Sequence, residues 1–271
     1  MSKVGVGQLF LLAIVTFCSI YVYTATQPTM KVSSLYVTSD VEFNASIRIA
    51  LLSDLHVQKS PAALADLEEL WSEVVKKKPD IILLAGDYID DGNSNEDFIS
   101  IGSAVANVLR HSNNIPVVAV LGNHDHWSGA DAWTRYLSEA GVIVLENEIF
   151  ILEVIGACIR GFGDAFTDHF RYVDFPPVCD GMLKISLMHD PAGAFSQQVT
   201  GLVLAGHTHC GQISIPFLGA LYVPTQAPKE ALCGLYKDEQ RQVFVSSGVG
   251  TSVIPFRLNT QSEWDLITIN Y

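Results

Sequence analysis

Five short apolar runs divide this chain, and each one stops at a cluster of polar residues. They are Ile47–Ser53, Ile81–Ala85, Pro116–Leu121, Leu183–Met188 and Leu202–Ala205. All are of strand length and rich in Ile, Leu and Val. Such a run reads as a buried strand, although pattern alone does not separate it from a buried helix segment. Between them the period changes. From Pro61 to Lys78, Ala63, Leu64, Leu67, Leu70, Trp71, Val74 and Val75 recur at helical spacing. Lys76, Lys77 and Lys78 close that helix, where cations suit the C-terminal end. Asp97–Arg110 reads as a second helix with Ser94 or Asn95 as N-cap. Ala130–Ala140 reads as a third, stopped by Gly141. Val142–Phe162 looks like strands separated by turns at Asn147 and Gly156. The stretch Gly161–Pro177 reads as loop and holds Asp164, Asp168 and His169. Ile213–Val223, Val243–Ser246 and Asp265–Tyr271 suggest the last strands. Strand–helix alternation followed by strand-rich sequence implies an α/β fold: two packed sheets with helices outside.

The N-terminal segment follows a different pattern. No charged residue occurs between Val4 and Met30, and the centre reads Leu9-Phe10-Leu11-Leu12-Ala13-Ile14-Val15. That approaches the ~20 apolar residues that a bilayer-spanning helix needs. Tyr21 and Tyr23 lie at its far end, where interfacial aromatics are common. A cleaved signal peptide is the rival reading, but Tyr23-Thr24-Ala25 puts a bulky residue where a small one is wanted. We therefore expect residues 1–26 to be an uncleaved membrane anchor. Lys3 and the amino terminus precede the span and Lys31 follows it. The positive-inside rule then leans towards an inside N-terminus and an outward-facing domain. Residues 27–45 read as a stem or first edge strand, and 46–271 as the functional domain.

Composition narrows the function. The 271 residues carry a net charge of −13. This argues against nucleic acid, whose phosphates require a basic surface. It also disfavours an anionic substrate, unless bound cations reverse the local field. The five cysteines (18, 158, 179, 210 and 233) form no CxxC pair. An odd count does not suggest a disulfide framework, so free buried thiols are expected.

The chemistry lies at the ends of the apolar runs. These ends are Asp54-Leu55-His56, Gly86-Asp87, Gly122-Asn123-His124-Asp125, His189-Asp190 and Gly206-His207-Thr208-His209. In an extended segment residues i and i+2 share a side, so Asp54 and His56 are expected to grip one ion, with His207 and His209 similarly paired. Each cluster alone reads equally as a turn. Their shared placement makes the signal, because ligands of open α/β sheets sit beyond the carboxyl ends of strands. Mixed imidazole and carboxylate donors suit Mn, Fe or Zn, with Mn favoured here, rather than Mg or Ca. The lack of Cys at these ends argues against a structural zinc site. Two such ions would leave the pocket positive inside an acidic protein.

In type and order these five blocks resemble the calcineurin-like metallophosphoesterases. Gly206-His207-Thr208-His209-Cys210-Gly211-Gln212 and Ser247-Gly248-Val249-Gly250-Thr251, followed by Pro255-Phe256-Arg257, resemble the family's bacterial membrane-associated branch. The resemblance covers about residues 45 to 271. It implies a four-layer αββα sandwich of two mixed β-sheets. It implies that Asp54, His56, Asp87 and His209 hold one divalent ion, and that Asp87, Asn123, His189 and His207 hold the other, with Asp87 bridging. It also implies that His124 contacts the phosphoryl group or protonates the leaving oxygen, oriented by Asp125. A hydroxide bridging the two ions would attack phosphorus in line.

The implied function is hydrolysis of a phosphodiester or pyrophosphate bond. An anchor makes lipid-linked substrates attractive, such as a UDP-linked acylated sugar or a prenyl-pyrophosphate derivative, in the manner of some family members. The alternative is a non-catalytic metal-binding scaffold for protein–protein interaction on the same fold; loss of donor residues would mark it, and none is lost. A purple-acid-type phosphomonoesterase would need a tyrosine ligand, and Tyr88 follows Asp87 by a single step, which points it the other way. Arg257 is a candidate phosphate contact, since a planar guanidinium suits that role, or else a structural ion-pair member. Cys210 reads as a packed neighbour of His209 or a ligand. His126 reads as a pocket-mouth or a loop residue, and His111 and His169 as surface residues.

Overall fold

A computed structural model describes residues 6–36, 46–89, 95–196, 199–215 and 217–270. Two six-stranded mixed sheets form its core. The first contains β1 (Thr29–Tyr36), β2 (Ser46–Leu52), β3 (Ile81–Leu84), β4 (Val117–Ala119), β5 (Ile143–Val144) and the last strand, β14 (Glu263–Asn270), in the order β1-β14-β2-β3-β4-β5. The second contains β6 (Glu148–Leu152), β7 (Ala157–Gly161), β8 (Leu183–Leu187), β9 (Gly201–Ala205), β12 (Gly234–Lys237) and β13 (Arg241–Val245), in the order β12-β13-β9-β8-β7-β6. Between β9 and β12 a small hairpin is formed by β10 (Ser214–Ile215) and β11 (Gly219–Ala220). β2, β3, β4 and β5 run parallel, as do β7, β8, β9 and β13. Antiparallel pairing of β14 with β2, β6 with β7 and β12 with β13 makes both sheets mixed.

The strands are apolar throughout because both faces are covered. On β2, Ile49 and Leu51 face the second sheet, where they join Ile185, Leu187, Leu202 and Leu204 in the central core. Ala50 and Leu52 alternate to the opposite face. There they meet α2 (Pro61–Lys76), α3 (Asn95–Leu109) and α4 (Asn123–Glu139), which contribute Leu67, Trp71, Val105 and Trp133. Ser60 caps α2, its hydroxyl accepting from Ala63 N at 3.1 Å, with Pro61 in the first turn.

The outer face of the second sheet is covered differently from the expected helical layer. Phe162, Phe170, Tyr172 and the single-turn α5 (Gly193–Ser196) pack over Val203, Val243 and Val245. The connections there carry little helix, so loops do the work of helices, and the sandwich has three full layers and a thin fourth. The residues expected to extend from Ile213 to Val223 as strand are paired only over two residues in each arm of the hairpin.

Val6–Thr26 forms a helix of 21 residues, α1. Among the described residues no helix is long and apolar enough to cross a membrane. The side chains of Val6, Leu9, Phe10, Phe17 and Cys18, all within α1, lie outside that description. The C-terminal end of α1 is held to the domain: Ser262 N donates to Ala25 O at 2.9 Å and Tyr21 Oη to Asn259 Oδ1 at 2.8 Å. The stretch that follows α1 contains β1, which lies at an edge and pairs parallel with β14; residues 37–45 are outside the described residues.

Two disulfides replace the expected free thiols, Cys158–Cys179 and Cys210–Cys233. Their partners are 21 and 23 residues apart, brought together only by the tertiary fold, so no local spacing announces them. By loop-closure entropy each contributes about 3 kcal/mol.

The carboxyl of Asp265, on β14, is fully buried. Burial, then the neighbouring Glu263 carboxylate, push it up to about 7, with Ser246 and Lys31 opposing only in part. An unfolded Asp titrates near 4. Between about pH 4 and 7 the unfolded chain has therefore released a proton that the folded chain still holds, so this group's contribution to stability falls as pH rises, by up to about 1.4 kcal/mol per pH unit. Asp265→Asn is expected to remove that slope and to be the more stable form at pH 8. Denaturant unfolding of both metal-free proteins from pH 4 to 8 checks this; parallel stability curves would show the assignment to be wrong.

Candidate metal centre

The ends of β2, β3, β8 and β9 and the start of α4 meet at one point. The chain turns sharply there: Asp54, His56, Asp87, His207 and His209 all have positive φ, between 41° and 69°. Residues other than glycine adopt this region at a cost of roughly 1–3 kcal/mol each, and such strain concentrates at functional sites. The turns are fixed by backbone bonds. Asp54 N donates to Gly86 O at 2.9 Å, His56 N to Asp87 O at 3.1 Å and Gly206 N to His189 O at 3.0 Å. The extended i, i+2 geometry expected for Asp54/His56 and for His207/His209 is therefore absent, and the side chains converge because of the turns.

They converge as two clusters. In one, His56 Nε2 is 3.2 Å from His209 Nε2, and Asp54 Oδ1 is 3.4 Å from His209 Nε2 and 3.9 Å from His56 Nε2. In the other, His189 Nε2 is 3.1 Å from both Asn123 Oδ1 and His207 Nδ1. Asp87 Oδ2 lies between them, 3.6 Å from His56 Nε2 and 3.2 Å from His189 Nε2. His207 and His209, neighbours in sequence, thus fall in different clusters.

Several of the remaining polar atoms of these side chains are held by hydrogen bonds. Asp87 Oδ1 accepts from His124 N at 2.9 Å, leaving Oδ2 for the site. Asp54 Oδ2 accepts from His207 N at 2.9 Å and from the Ser53 hydroxyl, while its Oδ1 is buried with no hydrogen-bond donor. His189 Nδ1 donates to Ala85 O at 2.7 Å and His207 Nε2 to Pro224 O at 2.9 Å. Each ring therefore turns its other nitrogen inward, the arrangement that orients metal-binding histidines. An orphaned buried carboxylate oxygen and inward imidazole lone pairs fit divalent cations; the residues present suit two ions.

Charge supports this fit. Burial alone would raise the carboxyls, but His209 and His189 draw Asp54 below the ordinary range, and His189 and His56 do the same for Asp87. Both are ionised. Burial, with His56 and Arg257, pushes His209 down to about 3 against the pull of Asp54, keeping it neutral. His189 moves the other way: its burial is outweighed by Asp87, which raises it well above the ordinary histidine value. Replacing that proton by a cation preserves the same attraction.

Several expected site residues stand elsewhere. Asn123, His124 and Asp125 form the first turn of α4, so that helix begins seven residues earlier than the apolar period suggests. It survives to Glu139 only through a break at Gly129, with φ 129°. The Asp125 carboxylate accepts from the backbone N–H of Gly122, Asp87 and Tyr88 at 2.8, 2.8 and 2.9 Å. It thus welds the β3 turn to α4. His124 lies beside the first cluster, its ring 4.7 Å from that of His56. Arg257, expected at a substrate phosphate, is fully buried. Its guanidinium donates to Ser247 Oγ and O, Gly248 O, Gly250 O and His209 O, clamping the 247–250 turn under His209. Cys210 is neither ligand nor free thiol but a disulfide partner. Tyr88 points into the core and donates to Val120 O at 2.8 Å. His111 ends α3 near Asn107 O. His169 is exposed, as expected, and stacks on His126.

A cleft of about 430 Å³ opens over the two clusters. Asp87, Asn123, His124, His207 and His209 form its floor, and Trp127, Phe166, Leu221, Tyr222, Val253 and Ile254 its walls. Asp190 and Pro224 were missed as second-layer residues: Thr225 Oγ1 donates to Asp190 Oδ1, so the 221–226 segment is tied beside both His189 and His207. A larger cleft, about 820 Å³ between α2 and α3, contains none of the donor residues.

With this geometry in hand, comparison places the chain. Residues 47–211 match the model of the calcineurin-like phosphoesterase family, and the chain belongs to that family of metal-dependent phosphoester hydrolases. It is 28% identical over 235 residues to a phosphodiesterase of Escherichia coli, covering 83% of each chain. It is also 28% identical over 237 residues to a Danio rerio transmembrane protein with a metallophosphoesterase domain, covering 80% of this chain and 52% of that one. Among solved structures, a dimetal phosphatase from Danio rerio superposes with a TM-score of 0.51 at 12% identity, over 75% of this chain and 88% of that one, a likeness of fold.

A Cβ placed on Gly122 would lie 2.3 Å from Asp87 Oδ1 and 2.8 Å from His189 Cε1. Gly122→Ala is therefore expected to displace the bridging carboxylate and to lose at least one ion per chain while the fold persists. Metal analysis beside circular dichroism checks it, and unchanged metal content would show that the bridge tolerates displacement.

Proposed function

We propose that this chain hydrolyses a phosphodiester or pyrophosphate bond in an amphipathic, lipid-linked substrate at a membrane surface, using two divalent ions. The observation that carries the two-ion reading is the position of Asp87 Oδ2 between His56 Nε2 and His189 Nε2. Asp54, His56, Asp87 and His209 would hold one ion, and Asp87, Asn123, His189 and His207 the other. When bound, the ions supply Lewis-acid charge at phosphorus and lower the pKa of water. The donor set fits Mn, Fe or Zn, and Mn is the first choice to assay. The chain's residues do the rest. His124 stands at the cleft floor and at the first turn of α4, where the helix N-terminus favours an anion. Its imidazole is placed to bind a phosphoryl oxygen or protonate the leaving oxygen. Asp125 is a positioning residue, holding the turn that aims Asp87. The name of the Escherichia coli relative, a phosphodiesterase, supports the diester reading.

The apolar walls support an apolar substrate portion. Trp127, Leu221, Tyr222 and Val253 are each more than half exposed around the cleft, and Phe217 and Leu218 stand out at the β10–β11 hairpin. That hairpin is tied to α1: Asn259 accepts from Tyr21 and donates to Ser214 O at 2.7 Å. The sequence of α1 carries no charge over its 21 residues, a length of about 31 Å at helical rise. Its side chains Leu11, Leu12, Val15 and Ile20 are exposed, which suits lipid contact. We therefore read residues 1–26 as an anchor and 46–271 as the catalytic domain, beside the Danio rerio relative named as a transmembrane protein. Disulfides persist in oxidising compartments, so the two bridges favour an outward-facing domain on a single-pass cell-membrane protein.

Two experiments test this. With Mn, the detergent-solubilised chain is expected to cleave bis(p-nitrophenyl) phosphate in preference to p-nitrophenyl phosphate. His124→Ala should keep both ions and lose roughly 10²–10⁴-fold in kcat, the range for a general acid; a metal-free His124→Ala, or one with full activity, overturns that role. The second compares a prenyl-pyrophosphate ester in mixed micelles with its short-chain soluble analogue. The long-chain form is expected to show at least a tenfold higher kcat/KM, reduced by Leu221→Ser with Val253→Ser. Equal values for both substrates would remove the lipid reading and leave the two-ion enzyme intact.

A further inference from the structure

Apart from the paired clusters, three other side chains bring metal-binding atoms together. His126, Glu146 and His169 each place one donor atom within 4.8 Å of the other two. They come from α4, from the turn between β5 and β6, and from the loop after β7. The two imidazoles stack, with centroids 3.8 Å and planes 16° apart. Two imidazolium cations would repel each other in that pose, so at least one ring offers a lone pair.

The surroundings select the donor atoms. The Thr167 hydroxyl is 2.7 Å from Asp164 Oδ2 and 2.9 Å from His169 Nδ1. Having one proton, it donates to the carboxylate and accepts from His169 Nδ1–H. His169 Nε2 therefore carries the lone pair, oriented by a carboxylate–hydroxyl relay like those behind metal-binding histidines. Asp164 is buried and also takes Thr167 N–H at 2.9 Å. His126 Nε2 is buried with no hydrogen-bond partner, an omission that is costly unless a ligand fills it. Next to Glu146, Asn147 fastens the loop: its Nδ2 donates to His169 O at 3.0 Å, and its Oδ1 accepts from Gly163 N and Arg171 N at 3.0 and 2.8 Å.

We propose that His126, Glu146 and His169 form a third cation site, distinct from the paired clusters, that takes zinc. Two imidazoles and a carboxylate are a zinc donor set with positions open to water. The site would join three segments that the backbone leaves separate. One carries Trp127, directly after His126, and another carries Phe166, three residues before His169. These two rings meet edge to face at 6.1 Å and form one wall of the cleft. A cation there fixes that wall from behind and makes the shape of the substrate cleft depend on zinc, without supplying any group to the reaction.

The test counts ions. Equilibrium dialysis of the full chain in detergent against Zn²⁺, followed by metal analysis, is run on the wild type, His169→Ala and Glu146→Gln. Both replaced residues are exposed and lie outside the paired clusters. The wild type is expected to hold one more ion per chain than either variant. Limited proteolysis within residues 163–176 should slow on zinc addition in the wild type and not in the variants. Equal stoichiometry in all three proteins overturns the third site. The number retained by the variants reports separately on the paired clusters: two ions agrees with the binuclear reading, and fewer contradicts that reading without touching the difference. Glu146→Gln, isosteric and exposed, keeps the test valid if His169→Ala fails to fold.

Discussion

The structure depends on holding two ionised carboxylates, Asp54 and Asp87, almost wholly enclosed by protein. Both are essentially fully buried at the ends of β2 and β3. An isolated carboxylate in such a place would take up a proton, because desolvation disfavours its charged form. Here each is satisfied on one side by backbone N–H groups or a hydroxyl and on the other faces imidazoles. The arrangement explains the crowding of glycines. A Cβ on Gly206 would overlap Ser53 Oγ, and one on Gly248 would come within 2.7 Å of Asp54 Cβ. Backbone must approach the carboxylates closely for their charge to be held without solvent.

Much of this was legible in the sequence, and for a physical reason. Strand ends are punctuated by abrupt changes from apolar to polar, and a parallel sheet gathers consecutive ends on one edge. Asp54, His56, Asp87, Asn123, His189, His207 and His209 could therefore be picked out without coordinates. How they divide could not be derived from alternation. His207 and His209 are two residues apart and belong to different clusters, because left-handed turns at both break the period of two on which that argument rests. The start of α4 was similarly hidden: Asn123–Asp125 carry no apolar period, and a helix turn that presents its side chains to a polar site leaves no hydrophobic trace.

What depends on distant contacts was not legible. Cys210 and Cys233 are joined across a hairpin, and Cys158 and Cys179 across a loop; neither spacing is a motif. Arg257 shows the same limit. A charged residue after a glycine-rich turn resembles a phosphate ligand in sequence, yet its planar fork suits a cluster of carbonyl oxygens equally well. Only burial decides between them, and it places the guanidinium beneath His209. His126 and His169, 43 positions apart, came together through a loop whose course depends on Asn147 and Asp164.

The overall charge of −13 then takes on a definite meaning. A strongly acidic chain repels a phosphate ester at long range, over roughly a Debye length. Inside the cleft the nearest fixed charges are Asp54 and Asp87, and two divalent cations exceed them, so the sign of the field reverses over a few ångströms. Attraction of the anion is thus confined to the floor, and the walls contribute none: Trp127, Phe166, Leu221, Tyr222, Val253 and Ile254 carry no charge. Net charge and local field are thus set by different residues: the acidic surface governs the approach of an anion, and the donor set at the cleft floor governs whether it can be held.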